Sequence, residues 1–307
     1  EMEMRKILLI TAAVVTSMIG CATPEPEATG RLNVVCTTGM IADMVTRIGG
    51  AQVNVVGLMG PGVDPHYYKA TQGDLKHLSR ADVIFFNGLF LEGKMEDIFS
   101  KMARSKTVRA LANDLHESHL RRPPELEGHF DPHIWFDVDL WRSTIPVVEQ
   151  TLTAAVPAAA EGFQTRAEAY RAELESLHKW VVERIAEVPT SGRVLVTAHD
   201  AFGYFGDAYG IEVLGLQGIS TVAEYGVNDV RHLVDVIVER QVKAIFVESS
   251  VPERSINAVR EGCLARGHEV VIGGTLYSDA MGQAGSGADT YAGMVRTNVN
   301  TIVEALR

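Results

Sequence analysis

The chain has 307 residues, 46% of them hydrophobic and 22% charged, with a formal net charge of −11 at pH 7. That length supports one large domain or two lobes with their own cores. So acidic a balance gives no electrostatic support to nucleic-acid binding, which needs a basic face.

In chain order, Arg5-Lys6 precede an apolar run from Ile7 to Gly20, and Cys21 follows. The run is short for a membrane span but suits a signal-peptide core, so residues 1–20 are expected to be a leader. Met18-Ile19-Gly20-Cys21 resembles a bacterial lipoprotein box, which implies cleavage before Cys21 and a lipid on its thiol. Residues 21–30 are rich in Pro, Glu and Thr and read as a flexible tether. An uncleaved apolar anchor helix is the alternative.

From Arg31 onward, β-rich runs alternate with helical patterns, the signature of βα units and mostly parallel sheets. The first half offers the strands LNVVCT, VNVVGLM, ADVIFFN and TVRAL, with MIADMVTRIGG as a helix ended by its glycines. The second half offers RVLVTA, EVLGLQ, AIFVES and EVVIGG, separated by VNDVRHLVDVIVERQ and RSINAVREGCLARG. Two Rossmann-like lobes are expected, 31–157 and 189–307. Residues 158–188 lie between them, with Phe163, Ala167, Tyr170, Leu174, Leu177, Val181 and Ile185 at helical steps of three and four. Bounded by Pro157 and Pro189, this segment predicts one linking helix of roughly 45 Å at about 1.5 Å per residue. A single stiff helix as linker argues against large hinge closure.

Cys36 and Cys263 lie far apart in apolar stretches and are expected to be buried free thiols. With no Cys-x-x-Cys pair, a thiolate metal site has nothing to build on.

Ligands of open α/β sheets bind beyond the carboxyl ends of strands. The polar residues at those places are His66, His133, His199 and Asp279, separated by 67, 66 and 80 residues. Such spacing excludes a local zinc finger and suits a site assembled between lobes, two residues from each. Three imidazoles and a carboxylate suit a borderline divalent transition metal. His66 and His133 each follow Asp-Pro, a stiff dipeptide that fixes how the histidine leaves the turn. Spacing alone leaves two ordinary turn histidines as the other reading.

The remaining histidines are weaker candidates. His77, His178 and His232 fall in helical patterns and are expected to face solvent. His116, His119 and His129 lie in a polar loop, where HESH falls short of His-Glu-x-x-His; HEVVI at His268 lacks the second histidine. Neither supports hydrolysis, and GPGVDP lacks the third glycine of a dinucleotide loop.

Taken together, DPHYYKATQGD, FDPHIWFDVDLW, LVTAHDAFGYFGDAYG, GLQGIST, IFVESSVP and GGTLYSDAMG resemble the TroA-type zinc/manganese solute-binding proteins of ABC transporters, from about Arg31 to the C-terminus. The resemblance implies two βα lobes joined by one backbone helix, with a metal in the cleft. It carries the family's ligands onto His66, His133, His199 and Asp279, the four already reached by strand-end position. Manganese-preferring relatives tend to have glutamate where this chain has His199, and zinc-dedicated ones a longer histidine-rich loop, so both metals fit. Glu248, ending IFVES, is a candidate acceptor for a ligand imidazole or else a solvated strand-end carboxylate.

The implied function is that of a lipid-anchored, periplasmic or extracytoplasmic receptor. It would be a monomer that captures zinc or manganese and hands it to a membrane permease, without catalysis. Release is expected to involve small lobe movements with local rearrangement at His199 or Asp279. A zinc hydrolase and a surface adhesin with a structural metal are the rivals.

Overall fold

The computed structural model describes residues 30–307 apart from Glu127 and Glu224. The leader, Cys21 and nearly all of the tether lie outside the described residues. Residues 31–307 form one compact unit.

Strand β1 (Leu32–Cys36) turns its apolar run inward, with Val34, Val35 and Cys36 buried, as strands covered on both faces do. Helix α1 (Gly39–Gly49) follows and ends where Gly50 takes φ +55, a conformation that glycine adopts without penalty. Then come β2 (Val53–Gly57), α2 (Gln72–Arg80), β3 (Val83–Phe86), α3 (Glu96–Met102) and β4 (Thr107–Ala110). The four strands form a wholly parallel sheet in the order β2-β1-β3-β4. Two short helices, α4 (Val138–Arg142) and α5 (Ile145–Ala155), lead through a 3-10 turn at Pro157–Ala159 into α6 (Ala160–Ala186).

The C-terminal half runs β5 (Val194–His199), α7 (Gly203–Tyr209), β6 (Glu212–Gln217), α8 (Val227–Arg240), β7 (Ala244–Glu248), α9 (Arg254–Ala265), β8 (Val271–Leu276) and α10 (Tyr291–Leu306). Strand β5 pairs with β6 and β7 with β8, both parallel, and β5 lies alongside β7. The fold is thus α/β with parallel sheets and one long helix, as expected.

The last strand differs from expectation, running on through Gly273-Gly274 to Leu276 instead of stopping at the glycines. Those glycines are where α10 presses onto the sheet. A Cβ on Gly273 would sit 2.7 Å from Ala305 Cβ, and one on Gly274, whose φ is +148, would sit 2.5 Å from Thr301 Cγ2. The register with β7 slips between Ile245 and Phe246 at the same place.

Helix α6 buries all seven residues of its apolar stripe. It has 27 residues, about 40 Å at roughly 1.5 Å per residue. It packs against α1, α4 and α5 on one side of the sequence and α7 and α10 on the other. One continuous core therefore joins Val34 and Trp135 with Phe246 and Ile302. The helix is a wedge inside a shared core, which is stiffer than a free spacer. His178, expected to face solvent, is half-buried with Nδ1 3.3 Å from Tyr209 Oη, because α7 closes over that side of α6. Cys36 and Cys263 are buried free thiols.

Candidate metal centre

Every candidate side chain sits at or beyond the carboxyl end of a strand. His66 lies in the loop after β2, His133 in the long connection after β4, His199 ends β5 and Asp279 follows β8. All four are buried, none more than 5% exposed, and their donor atoms lie within 4.8 Å of one another.

Each donor is held by local chemistry. In the first Asp-Pro-His copy, Asp64 Oδ1 accepts the His66 backbone N–H at 2.8 Å. The loop is anchored further on, where Tyr68 Oη donates to Asp74 Oδ2 at 2.7 Å and Thr71 and Asp74 form the capping box of α2. In the second copy, Asp131 Oδ1 takes both the His133 backbone N–H at 3.0 Å and Nδ1 at 2.8 Å. Asp131 Oδ2 faces Arg121 Nη1 at 3.2 Å, and Arg121 Nε pairs with Asp207 on α7 at 2.9 Å. His199 is fixed by Glu248 at the end of β7, its backbone N–H reaching Oε1 at 2.8 Å and Nδ1 reaching Oε2 at 2.5 Å. Sequence reasoning found Glu248 but missed Arg121, whose role depends on a contact with Asp207, 86 residues further along.

The rim is formed partly by Gly88-Leu89-Phe90. Leu89 and Phe90 take φ +55 and +62, an uncommon conformation for such side chains. Buried Glu92 holds this loop by accepting from Asn87 N, Gly88 N and Thr37 Oγ1. Burial pushes the Glu92 carboxyl up to about 7, and those three hydrogen bonds oppose the shift without cancelling it. Asn87 Nδ2 in turn donates to Pro132 O at 2.9 Å, tying the rim to the second motif.

The donor spacing is informative. Tetrahedral bonds of about 2.0–2.2 Å separate neighbouring ligand atoms by roughly 3.3–3.6 Å. His66 Nε2 and His133 Nε2 lie 3.3 Å apart, and Asp279 oxygens lie 3.4 Å from His133 Nε2, 3.4 Å from His199 Nε2 and 3.8 Å from His66 Nε2. His199 Nε2 and both Asp279 oxygens are buried without a hydrogen-bond partner. Orphaned buried polar atoms are costly, and one cation among them would satisfy all three. The donor set therefore fits a small divalent transition metal.

Electrostatics divides the imidazoles. Burial lowers the pKa of His66 to about 3, with repulsion from His133 adding to it and attraction to Asp279 opposing it. Burial also disfavours the charged form of His133, but hydrogen bonds and charge from Asp131 and Asp279 outweigh it and raise it to about 9. At His199, Glu248 and Asp279 likewise overcome burial and hold the imidazole well above its usual range. Asp279 is held well below the carboxylate range because attraction to His199 and His133 exceeds its burial penalty.

The other histidines stand apart from the cluster. His77, His116, His119, His129 and His232 are exposed, and His268 Nε2 lies against Val242 O at 2.8 Å.

A family profile described as "Zinc-uptake complex component A periplasmic" matches residues 34–305. The manganese-binding lipoprotein MntA of Bacillus subtilis is 49% identical over 99% of this chain and 100% of its own length. The zinc-binding protein TroA of Treponema pallidum is 48% identical over 92% of this chain and 91% of its own. The solved structure of that periplasmic zinc-binding TroA superposes with a TM-score of 0.88, covering 90% of this chain and 99% of that one. Fe(III)-bound YtgA of Chlamydia trachomatis matches with a TM-score of 0.81 at 27% identity, covering 90% and 98%.

Proposed function

The chain belongs to the family of periplasmic zinc-uptake complex components A, and from that membership we propose that it is the metal receptor of an ABC transporter. It captures a divalent ion with His66, His133, His199 and Asp279 and delivers it to a membrane permease. No bond is made or broken in its cargo. The observation that carries the reading is the donor cluster, all four ligand atoms within 4.8 Å with Asp279 3.4–3.8 Å from each imidazole Nε2, and carboxylates behind two of the imidazoles. The similarity to a manganese-binding and a zinc-binding protein at nearly equal identity supports cargo of the zinc–manganese class. On affinity order zinc binds such donors more tightly than manganese, so metal supply decides which is carried.

The same reading divides the chain into a leader at 1–20, a tether at 21–30 lipidated on Cys21, lobes at 31–157 and 189–307, and the linker 158–188. The protein is then an extracytoplasmic monomer anchored by its lipid. Among the described residues no helix is long and apolar enough to cross a membrane.

Metal binding requires neutral imidazoles, so acid weakens it. Because the metal-free site favours protonated His133 and His199, loading near neutral pH releases protons. A fourth protein ligand also closes the position that a catalytic zinc leaves to water. Equilibrium dialysis of the full chain against zinc and manganese tests the reading. It predicts one ion per chain, lost on His133→Ala together with Asp279→Ala; a chain that binds no stoichiometric metal, or an Asp279→Ala variant that keeps its metal and hydrolyses an ester, refutes it.

A further inference from the structure

The three histidines are not held alike. His133 and His199 each have a carboxylate on Nδ1. Among the described residues, Nδ1 of His66 has no hydrogen-bond partner, and outside the donor cluster the residue is fixed only through its backbone N–H to Asp64 Oδ1. The segments carrying the ligands also differ in how they join the other half. The His133 segment is stitched to the C-terminal half by Trp135 Nε1 to Ser278 O at 3.0 Å, Tyr291 Oη to Trp135 O at 2.7 Å and Tyr204 Oη to Asp131 O at 2.9 Å. The loop from Leu58 to Thr71 has one such bond among the described residues, Thr221 Oγ1 donating to Asp64 Oδ2 at 2.7 Å.

That hydroxyl is placed by the strand that carries the third histidine. Gln217 ends β6 in register with His199 on β5. Its side-chain amide Nε2 donates to Thr221 O and to Ala223 O, folding the GLQGIST loop back so that buried Thr221 faces Asp64. Asp64 therefore has one oxygen on its own histidine and the other on the opposite half. Gln217, Thr221, Asp64 and His66 form a single chain of hydrogen bonds across the cleft.

We propose that Thr221 is a positioning residue for the metal, and that its hydrogen bond to Asp64 is the latch that keeps His66 on the ion. This rests on the receptor reading above. His66 is then the ligand that leaves first, since His133 cannot withdraw without unpicking the shared core. Sequence reasoning expected the rearrangement at His199 or Asp279, and of these His199 is doubly held by Glu248. Separation of the halves at the Thr221 side breaks one hydrogen bond and frees the one imidazole without a carboxylate behind it. The ion is left on three ligands, reachable from the apolar mouth lined by Phe90, Phe130 and Ile219.

The test is stopped-flow transfer of zinc from the loaded full chain to excess chelator, with association rates measured separately. Thr221→Val, of nearly equal volume without the hydroxyl, should dissociate zinc about tenfold faster, with association within about twofold of wild type. Thr221→Ser keeps the donor and should restore the slow rate to within about twofold. Tyr209→Phe removes a buried hydrogen bond between the halves away from the ligands, from Val138 N to Tyr209 Oη at 3.2 Å, and should leave dissociation within about twofold, even where it lowers thermal stability. The inference is overturned if Thr221→Val dissociates at the wild-type rate, if Thr221→Ser fails to restore it, or if Tyr209→Phe accelerates release as much. If wild type holds no stoichiometric zinc, the receptor reading itself has failed.

Discussion

His199 is held twice by one carboxylate, its backbone N–H donating to Glu248 Oε1 and its Nδ1 to Oε2. The two residues end neighbouring strands 49 residues apart in sequence. In the neutral imidazole that binds metal, their pairing keeps the proton on Nδ1 and leaves Nε2 toward His66, His133 and Asp279.

Removing that carboxylate should therefore weaken the metal without unfolding the protein. Glu248→Ala is expected to cost about 10–100-fold in zinc affinity, and Glu248→Gln less, because its carbonyl can still accept from Nδ1. Competition titration against a chelator of known affinity checks this. Unchanged affinity in Glu248→Ala would mean that β5 alone orients the imidazole.

Gly203 provides an independent handle on His133. A Cβ there would lie 1.1 Å from Arg121 Nη1, so Gly203→Ala should push the guanidinium off Asp131. Gly203 opens α7, where Gly to Ala is ordinarily stabilising by less than the about 1 kcal/mol of a helix interior. Here the expected result has the opposite sign, a destabilisation of about 1 kcal/mol or more with weaker metal binding, because Asp131 loses its partner. Urea unfolding with and without zinc measures both effects; a more stable variant with intact affinity would contradict the account.

These contacts mark what the sequence could and could not reveal. Strand and helix positions were legible because hydrophobic period is a local property, and the α6 stripe from Phe163 to Ile185 is buried as its spacing predicts. The four candidate ligands were legible because strand ends in α/β sheets converge. The strand order, the slip at Gly274 and the half-burial of His178 depend on which elements become neighbours, which no local pattern encodes. Thr221 and Arg121 were illegible for the same reason: each acts on an aspartate that only the tertiary fold brings within reach.

Glu92 predicts a pH dependence of stability in the metal-free protein. Its carboxyl is raised from 4.5 to about 7 by burial, so folding takes up a proton between those values. The sign follows directly: its favourable contribution is complete below about 4.5 and is lost as pH rises through about 7. The loss is on the order of 3 kcal/mol. Replacing it with Gln removes the titration, so the fall in stability between pH 5 and 7 should flatten. Urea unfolding in chelator at several pH values tests this, and an unchanged slope in Glu92→Gln would contradict it.

The shared core around α6 predicts little change of shape on loading. Small-angle scattering of metal-free and zinc-loaded protein should give the same radius of gyration within error. A clear compaction would mean that the halves swing on α6 in spite of the core that joins them.

The most direct test of the metal centre is anomalous diffraction at the zinc edge from crystals grown with stoichiometric zinc. One dominant peak is expected, about 2.0–2.2 Å from Nε2 of His66, His133 and His199 and from an Asp279 oxygen. A peak elsewhere, or an ion on three ligands and water with Asp279 turned away, would contradict it.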